Sequence, residues 1–316
     1  KFVTTMTVFF QQGIINTLGN DVQCYELSST DTTTRGLHLS TTIWTMTGVS
    51  MPVWAMNAVN LTLSADSSLL ISKGAGGNII SFGSAPPLVY HDVVFLGAGA
   101  QLISVGVYCY FNVINHYGLT GLIKGNCTID SALFHNESGL ILDNDTIRAA
   151  IFDMKNGEIR GGKHQVQIAI FKDDGKIKGS NTVDTALFYR NGYVYDTNQI
   201  DTAIIYNRAV IRGLNYFRTA TLLGDGQLVG ENTFNDLTLT KSRSYYLEHD
   251  KTQTIIDHLN IHGTCTGPVF MQSDEDTQQA TINMVNGTVE ADYLQLRDVK
   301  AEGAGIPFTA YNSVDL

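Results

Sequence analysis

The chain repeats one phrase every 17 or 18 residues: Gly121-Leu-Ile-Lys-Gly125, Gly139-Leu-Ile-Leu-Asp143, Gly157-Glu-Ile-Arg-Gly161, Gly175-Lys-Ile-Lys-Gly179, Gly192-Tyr-Val-Tyr-Asp196, Ala209-Val-Ile-Arg-Gly213 and Gly226-Gln-Leu-Val-Gly230. A fixed short period indicates stacked structural units rather than one globular core. Glycine at a fixed place suits a corner whose backbone has positive φ. Together with the β-branched residues, the phrase predicts a β-solenoid.

Each repeat continues with a second phrase of large apolar, alanine and aromatic or aliphatic positions. It reads Ile129-x-x-Ala132-x-Phe134, Ile147-x-x-Ala150-x-Phe152, Val166-x-x-Ala169-x-Phe171, Val183-x-x-Ala186-x-Phe188, Ile200-x-x-Ala203-x-Ile205, Phe217-x-x-Ala220-x-Leu222 and Phe234-x-x-Leu237-x-Leu239. Upstream, Tyr90-x-x-Val93-x-Phe95 and Tyr110-x-x-Val113-x-Asn115 fit the same frame. Residues in alternation share one face of a strand, and stacked strands lie about 4.8 Å apart. The phrase therefore predicts interior ladders of like residues.

These ladders predict an all-β fold, a single-stranded right-handed parallel β-helix with coils of about 17–20 residues. A helical repeat fits poorly, because helix caps do not recur and glycine does. We expect one continuous β-solenoid over 1–316, with irregular coils over 1–89, regular coils over 90–240 and C-terminal coils over 241–316. About 14 to 16 coils fit this length if the outer coils are longer. The ends of the sequence suggest a fragment of a longer protein.

Composition and charge narrow the function classes. Of the 316 residues, 43% are hydrophobic and 16% are charged, against a usual charged content of about 25%. The formal net charge of −10 argues against nucleic acid as a partner, because phosphate binding needs basic patches. The sequence contains no run of 18 apolar residues, so we expect no membrane insertion. No motif indicates a cofactor.

The sequence leaves two questions open: whether two cysteines form a disulfide, and whether an acidic loop binds calcium. The four cysteines are Cys24, Cys109, Cys127 and Cys265, and they lack the spacing of a metal site. Cys109 and Cys127 fall on neighbouring coils, one position out of phase in the predicted frame, so they are either buried thiols or a disulfide. The acidic loop around Asp274-Glu-Asp276 is either a calcium site or a solvated loop. We predict no metal ligands.

Several phrases outside the regular repeat resemble a known family. They are Arg35-Gly-Leu-His-Leu-Ser40, Ile79-Ile-Ser-Phe-Gly83, Gly230-Glu-Asn-Thr-Phe-Asn-Asp-Leu-Thr-Leu239, Gly263-Thr-Cys-Thr-Gly267 and Val289-Glu-Ala-Asp-Tyr-Leu-Gln-Leu-Arg-Asp-Val299. Together they resemble a β-helical module of very large surface adhesins of gliding Bacteroidota, the SprB-like gliding motility adhesins. The resemblance implies a secreted protein at the extracellular cell surface. It also implies type IX secretion and gliding machinery as partners, acting through other parts of the full protein.

The leading hypothesis is a structural and adhesive module that attaches to surfaces or polysaccharides. One alternative is a carbohydrate-active β-helix enzyme, a polysaccharide lyase or hydrolase, which would need clustered carboxylates. Asp143 with Asp145, or Asp173 with Asp174, could form such a pair. However, Asp173-Asp-Gly175 is a turn sequence, and we predict no catalytic residues and no enzyme. The second alternative is a passive spacer.

Candidate modification sites follow from Asp-Ser/Thr phrases, which resemble the O-glycosylation acceptor of exported proteins in Bacteroidota. The candidate acceptors are Ser131, Thr146, Thr185, Thr202 and Thr32. Three of them, Ser131, Thr185 and Thr202, fall at one coil position before the alanine ladder. The alternative is that Asp and Thr serve a turn before each strand.

Residues between the alanine and phenylalanine ladders predict an outward apolar row. If Ala and Phe face inward, the residues between them face outward: Leu133, Ile151, Ile170, Leu187 and Ile204. We call this set the apolar stripe. An exposed strip of this size suggests a partner or a covering segment. The opposite in/out assignment would place the four phenylalanines outside instead.

Overall fold

The computed structural model describes residues 1–49, 52–84, 86–304 and 308–316, and it places them in strands and turns. Within these ranges no residue is helical. The chain makes about 16 turns of a parallel β-solenoid, which confirms the predicted fold class. The chain divides into two compact units, Lys1–Gln167 and Ile168–Leu316. The continuity of the solenoid over 1–316 stays a prediction.

In the first unit, successive coils contribute strands to two parallel sheets, here named sheet A and sheet B. Sheet A contains Phe2–Val3, Val22–Cys24, Ile43–Met46, Leu69–Ser72, Leu88–Val89, Asp92–Phe95, Cys109–His116, Cys127–Phe134 and Thr146–Phe152. Sheet B contains Thr7–Phe9, Glu26–Ser29, Trp54–Asn57, Ile79–Phe82, Gln101–Val105, Thr120–Gly125, Ser138–Asp143 and Gly157–Gly161. A third sheet, absent from the sequence prediction, joins Gly13–Asn16, Arg35–His38 and Leu61–Ser64.

The second unit repeats the two-sheet pattern, and the strand Gln165–Phe171 contains the residue where it begins. Its sheet A continues with Thr182–Phe188, Gln199–Ile205, Tyr216–Leu222, Thr233–Thr240, Thr252–His262, Ala280–Met284, Thr288–Asp292, Val299–Gly303 and Ala310–Tyr311. Its sheet B contains Gly175–Gly179, Gly192–Asp196, Ala209–Gly213, Gly226–Gly230, Ser244–Leu247, Val269–Ser273, Leu294–Arg297 and Val314–Asp315.

The predicted ladders form the core of each unit. In the first unit Ala132 pairs in register with Ala150, and the ring of Phe134 stacks on that of Phe152 with centroids 4.8 Å apart. All six ladder alanines are 0% exposed: Ala132, Ala150, Ala169, Ala186, Ala203 and Ala220. The large apolar residues of the same phrase are also buried. The inward assignment of the alanine and phenylalanine positions is therefore confirmed.

One upstream alignment was wrong by a residue. Ile114 pairs with Ala132, and His116 pairs with Phe134. The phrase Tyr110-x-x-Val113-x-Asn115 therefore does not face the core. The reason is coil length, because Phe95 pairs with His116, a step of 21 residues that the 17–18 residue period does not predict. His116 instead occupies the aromatic ladder.

Glycine occupies the first and the last position of the repeated phrase for different physical reasons. The second one takes positive φ, as at Gly161 with φ 114°, and Asp143 and Asp196 adopt φ 78° at the same position. The first one makes room for a ring, because a Cβ on Gly157 would lie 2.5 Å from Cγ of Phe152. Such a contact is too short for real atoms, so glycine at this position accommodates the ring of Phe152.

Among the seven phrases quoted above, alanine replaces that first glycine once. Ala209 stands there, and the preceding ladder position is Ile205 instead of phenylalanine. Both residues are 0% exposed. The smaller aliphatic side chain leaves space for the added methyl group in this coil.

A buried arginine, Arg35, links several of the first coils by hydrogen bonds to backbone carbonyls. Arg35 is 1% exposed, and its guanidinium donates to the carbonyl oxygens of Ser29, Asn57 and Val59 at 2.8, 2.9 and 2.7 Å. It also donates through Nε to the carbonyl of Thr33. Burial lowers the pKa of this guanidinium. A buried charge needs such partners, and here backbone carbonyls of several coils supply them.

Candidate functional site

The apolar stripe lies on the outer face of sheet A. Leu133 pairs with Ile151 in the first unit, and Leu187 pairs with Ile204 in the second. All five stripe residues are half-buried, whereas the flanking alanine and phenylalanine positions are buried. Thr221 and then Thr238 continue the row beyond Ile204. The stripe is therefore an outward row of apolar side chains, partly shielded by its neighbours.

The strand that carries the stripe bends once in every coil. Between Ile129 and Ala132, both Asp130 and Ser131 face outward, which breaks the strict alternation of a flat strand. The same pattern recurs in the later strands, for example at Asp201 and Thr202. Three of the Asp-Ser/Thr phrases, at Asp130, Asp184 and Asp201, therefore lie inside strands at this bend, where the turn interpretation was wrong. Asp145 lies just before its strand, and Asp31 accepts from the backbone of the next two residues between two strands, as the turn interpretation predicts.

The candidate glycan acceptors fall into three places. Ser131, Thr185 and Thr202 are half-buried on the outer face at the bend, and Thr185 pairs with Thr202. Thr146 is exposed at the start of its strand and pairs with Thr128. Thr32 is exposed between two strands. Hydroxyls at the first two places lie on the same sheet face as the apolar stripe.

Two aspartates of these phrases, Asp130 and Asp201, form ion pairs with an arginine of the next coil. Arg148 Nη2 donates to Asp130 Oδ2 at 2.7 Å, and Arg218 Nη2 donates to Asp201 Oδ2 at 3.0 Å. The pKa of Asp130 is lowered, chiefly by its hydrogen bond with Arg148. These pairs are solvent-exposed, and exposed pairs contribute little to stability. They fix the orientation of side chains next to the candidate acceptors.

The carboxylates of the two candidate catalytic pairs have structural roles. Asp173 Oδ1 accepts from the backbone of Asp174 at 2.9 Å, and both Asp173 oxygens lie 3.4 Å from Arg190 Nη1. Asp174 Oδ1 accepts from Asn191 Nδ2 at 2.8 Å. They support turns of adjacent coils. Asp143 lies at a half-buried corner with positive φ, while Asp145 is fully buried, so these two do not share an open face.

Asp145 belongs to a buried polar column at one corner of the first unit. Cys109 pairs in register with Cys127, so these cysteines are not out of phase as the sequence frame predicted, and both are free thiols. Asp145 Oδ1 accepts from the backbone of Cys127 at 2.9 Å, and His164 Nδ1 accepts from the backbone of Asp145 at 3.1 Å. The side chains of Asp145 and His164 are both 0% exposed.

Burial sets the protonation of this column. Desolvation raises the pKa of Asp145 to about 8, and the nearby charge of Asp143 adds to that shift. Desolvation lowers the pKa of His164. Desolvation also raises the pKa of Cys127 well above its usual value. At neutral pH the column therefore holds neutral groups, and the thiols are poor nucleophiles because they stay protonated.

In the second unit, the corner before each sheet A strand carries an asparagine ladder that the sequence reading missed. Asn181 Nδ2 donates to Asn198 Oδ1 at 2.9 Å, and the same bond joins Asn198 to Asn215 at 2.9 Å and Asn215 to Asn232 at 3.0 Å. Each amide also donates to a carbonyl three residues before it. The missed signal was the 17-residue spacing of these asparagines.

The acidic loop is held by hydrogen bonds and an ion pair. Asp274 Oδ1 accepts from the backbone nitrogen of His249 at 2.8 Å and lies 3.0 Å from its Nδ1. This contact raises the pKa of His249. Arg297 Nη2 lies 3.0 Å from Asp276 Oδ1. Among the described residues, no three His, Cys, Asp or Glu side chains are grouped so as to hold a metal.

Comparison with known proteins adds no relative. No protein-family model, no curated protein and no solved structure matches the chain. The part of the chain that the structure describes has no helix long and apolar enough to cross a membrane. The fold therefore defines a class, the parallel β-solenoids, and fold alone does not define a function.

Proposed function

We propose that the chain is a structural and adhesive module of a secreted protein at the extracellular cell surface, of the gliding motility adhesin type. In that setting, type IX secretion and gliding machinery would act on other parts of the full protein. The family resemblance of the phrases quoted above supports the setting. The surface geometry of sheet A supports the adhesive role.

One observation carries the proposal: like residues stand in register on the outer face of sheet A. The apolar stripe runs beside a line of hydroxyls, with Leu187 paired to Ile204 and Thr185 paired to Thr202. Parallel rungs lie about 4.8 Å apart, so such a face presents many equivalent weak contacts. Repeated contacts give avidity without a deep pocket. This arrangement suits attachment to extended surfaces or polymers.

We predict that replacing Leu187 and Ile204 together with threonine reduces adhesion while leaving the fold intact. Threonine already occupies this row at Thr221 and Thr238. Each buried CH2 contributes about 0.8 kcal/mol, and about 1.4 kcal/mol corresponds to a tenfold change in affinity. We therefore expect retention of protein-coated beads on glass or polystyrene under flow to fall about tenfold.

The control is Thr221→Ser in the same row, which should retain beads like the unaltered chain. Circular dichroism should show the same β spectrum for all three proteins and cooperative unfolding well above the temperature of the adhesion measurement. If the unaltered chain holds no beads, the module is a passive spacer. If the threonine variant holds beads as well as the unaltered chain, the apolar stripe is not the adhesive surface.

We also propose that Ser131, Thr146, Thr185, Thr202 and Thr32 carry O-linked glycans in the native host. Glycans at the bend of sheet A would lie beside the apolar stripe and set how closely a surface approaches it. We predict a hexose-type mass excess on peptides that span these residues when the protein is isolated from its host. Protein made in a cytoplasmic host is the control, and equal masses from both sources would contradict the proposal.

A further inference from the structure

The outer face of sheet B in the second unit carries an unusual mixture of cations and rings. Its strands Gly175–Gly179, Gly192–Asp196 and Ala209–Gly213 are consecutive and in register. In one row Lys176 pairs with Tyr193, and in the next Lys178 pairs with Tyr195, which pairs with Arg212. Arg208 stands immediately before the third strand. We call this set the basic face: Lys176, Lys178, Tyr193, Tyr195, Arg208 and Arg212.

The cationic side chains of the basic face form no ion pairs with carboxylates of the described residues. Among the ion pairs of the described residues, none involves Lys176, Lys178, Arg208 or Arg212. By contrast, the neighbouring Arg190 pairs with Asp173. The one carboxylate in these three strands belongs to Asp196, at the corner where φ is 78°. In a chain of net charge −10, four uncommitted cations on three coils are a local exception.

The rings lie among these cations. Tyr193 and Tyr195 have centroids 6.2 Å apart, tilted by 37°, and both side chains are half-buried. Arg208 and Arg212 are close enough for their charges to oppose the burial that raises the pKa of Tyr195. Arg208 Nη2 also donates to Gln227 Oε1 at 3.2 Å. The face thus offers ring surfaces, an amide and cationic donors side by side.

We propose that the basic face binds an acidic polysaccharide, with the tyrosine rings against sugar faces and the Lys and Arg side chains against carboxylate or sulfate groups. Rows of cation and ring at about 4.8 Å per coil match a polymer whose charges are separated by sugar rings. The inference rests on the proposed adhesive function and names the chemistry of its target.

Charge density favours a polysaccharide over nucleic acid. Duplex DNA carries one charge per about 1.7 Å of axis, which four cations spread over three coils cannot match. An anionic membrane would need a broader basic surface, because each cation near it contributes only about 1 kcal/mol.

The test measures equilibrium binding of the full chain to alginate, dextran sulfate and neutral dextran. We expect binding to alginate or dextran sulfate, weakened by salt because the pairing is electrostatic, and no binding to dextran. The double variant Lys178→Gln/Arg212→Gln should weaken binding about tenfold or more, and Tyr195→Ala should weaken it severalfold. The matched control Lys241→Gln/Arg218→Gln removes the same charge elsewhere and should bind normally.

Several outcomes would overturn the inference: no binding to either acidic polymer, equal loss in the matched control, or tighter binding to an oligothymidylate or to phosphatidylglycerol vesicles. Alginate against dextran sulfate separates carboxylate from sulfate recognition. The bead adhesion measurement distinguishes failure of the proposed adhesive function from failure of the polysaccharide site on the basic face. Adhesion without acidic polysaccharide binding removes this inference alone, whereas binding in solution without adhesion removes the proposed function and leaves the binding face.

Discussion

Replacing Phe188 with alanine is expected to lower the free energy of unfolding by about 3–5 kcal/mol. Phe188 is 0% exposed, and its ring stacks on that of Phe171 with centroids 4.7 Å apart and planes 5° from parallel. Removing the ring loses its transfer free energy and leaves a cavity that the rigid coils cannot close. Urea denaturation followed by circular dichroism measures the loss.

Leu187→Ala provides the matched control for this prediction. Leu187 is the next residue in the same strand and faces outward, half-buried. Substitution there should cost about 1 kcal/mol or less, since most large losses come from core cavities. Equal losses for the two variants would contradict the ladder as the main source of stability in the second unit.

Asp145→Asn is expected to raise stability at pH 7 by up to about 4 kcal/mol. Burial raises the pKa of Asp145 to about 8 from the usual 3.8, so the folded protein must hold a proton that the unfolded chain releases. Each pH unit between 3.8 and 7 costs about 1.36 kcal/mol. Asparagine needs no proton, and it already fills the corner before the sheet A strands in the second unit.

The pH dependence tests this account. The folded state of the unaltered protein binds the extra proton between about pH 4 and 8, so the contribution of Asp145 is present at pH 4 and is lost as pH rises. The variant should therefore match the unaltered protein near pH 4 and exceed it most at pH 8 and above. Chemical denaturation at pH 4, 7 and 8.5 gives the difference.

Other titrating groups act on both proteins alike. Burial lowers the pKa of His116 to about 3 and also lowers that of His164, so these groups lower stability as pH falls below about 6.5. The difference between variant and unaltered protein cancels that common effect to first order. Asp66→Asn, at an exposed turn of the same unit, is the control and should change little. A stability difference that does not vary with pH would contradict the buried-acid explanation.

The ladders could be predicted because residues that stack in neighbouring coils are separated in the sequence by one coil length. Ala132 and Ala150 are 18 apart, so the step alone identified them as neighbours, and their small size identified a crowded interior. The outward direction of Leu133 then followed from alternation. These statements needed no knowledge of coil shape, since one residue type repeated at one interval carries them.

The prediction failed where a coil changed length or a residue changed chemistry. The step of 21 residues from Phe95 to His116 shifted the frame, and a histidine in the aromatic ladder gave no apolar signal to correct it. Its ring nevertheless stacks between Phe95 and Phe134, with centroids 4.3 and 5.3 Å apart. A histidine that stays neutral fits such a stack, which a hydropathy pattern does not reveal.

The sequence patterns also failed to predict which polar residues at the corners of the coils are buried. Asn198 reads as a turn residue in isolation, yet its amide spans two coils and is 1% exposed. The third sheet and the carbonyl cage of Arg35 depend on long outer loops, whose paths no repeat encodes. The candidate surfaces were accessible to sequence reasoning only in part, because the basic face depends on which residues of adjacent coils come into register.

The residues at Ile205 and Ala209 show which substitutions a coil accepts together. A methyl group added at a first glycine position, while phenylalanine fills the ladder, meets the ring at 2.5 Å, as at Gly139 beside Phe134. In such a coil the ring must shift or shrink when the glycine changes. Ala100 follows Phe95 in its coil and by register lies opposite Gly121, so a coil can combine a ring with alanine once its ring has moved. Coils of one repeat therefore diverge through paired adjustments, and a substitution tolerated in one coil strains the next.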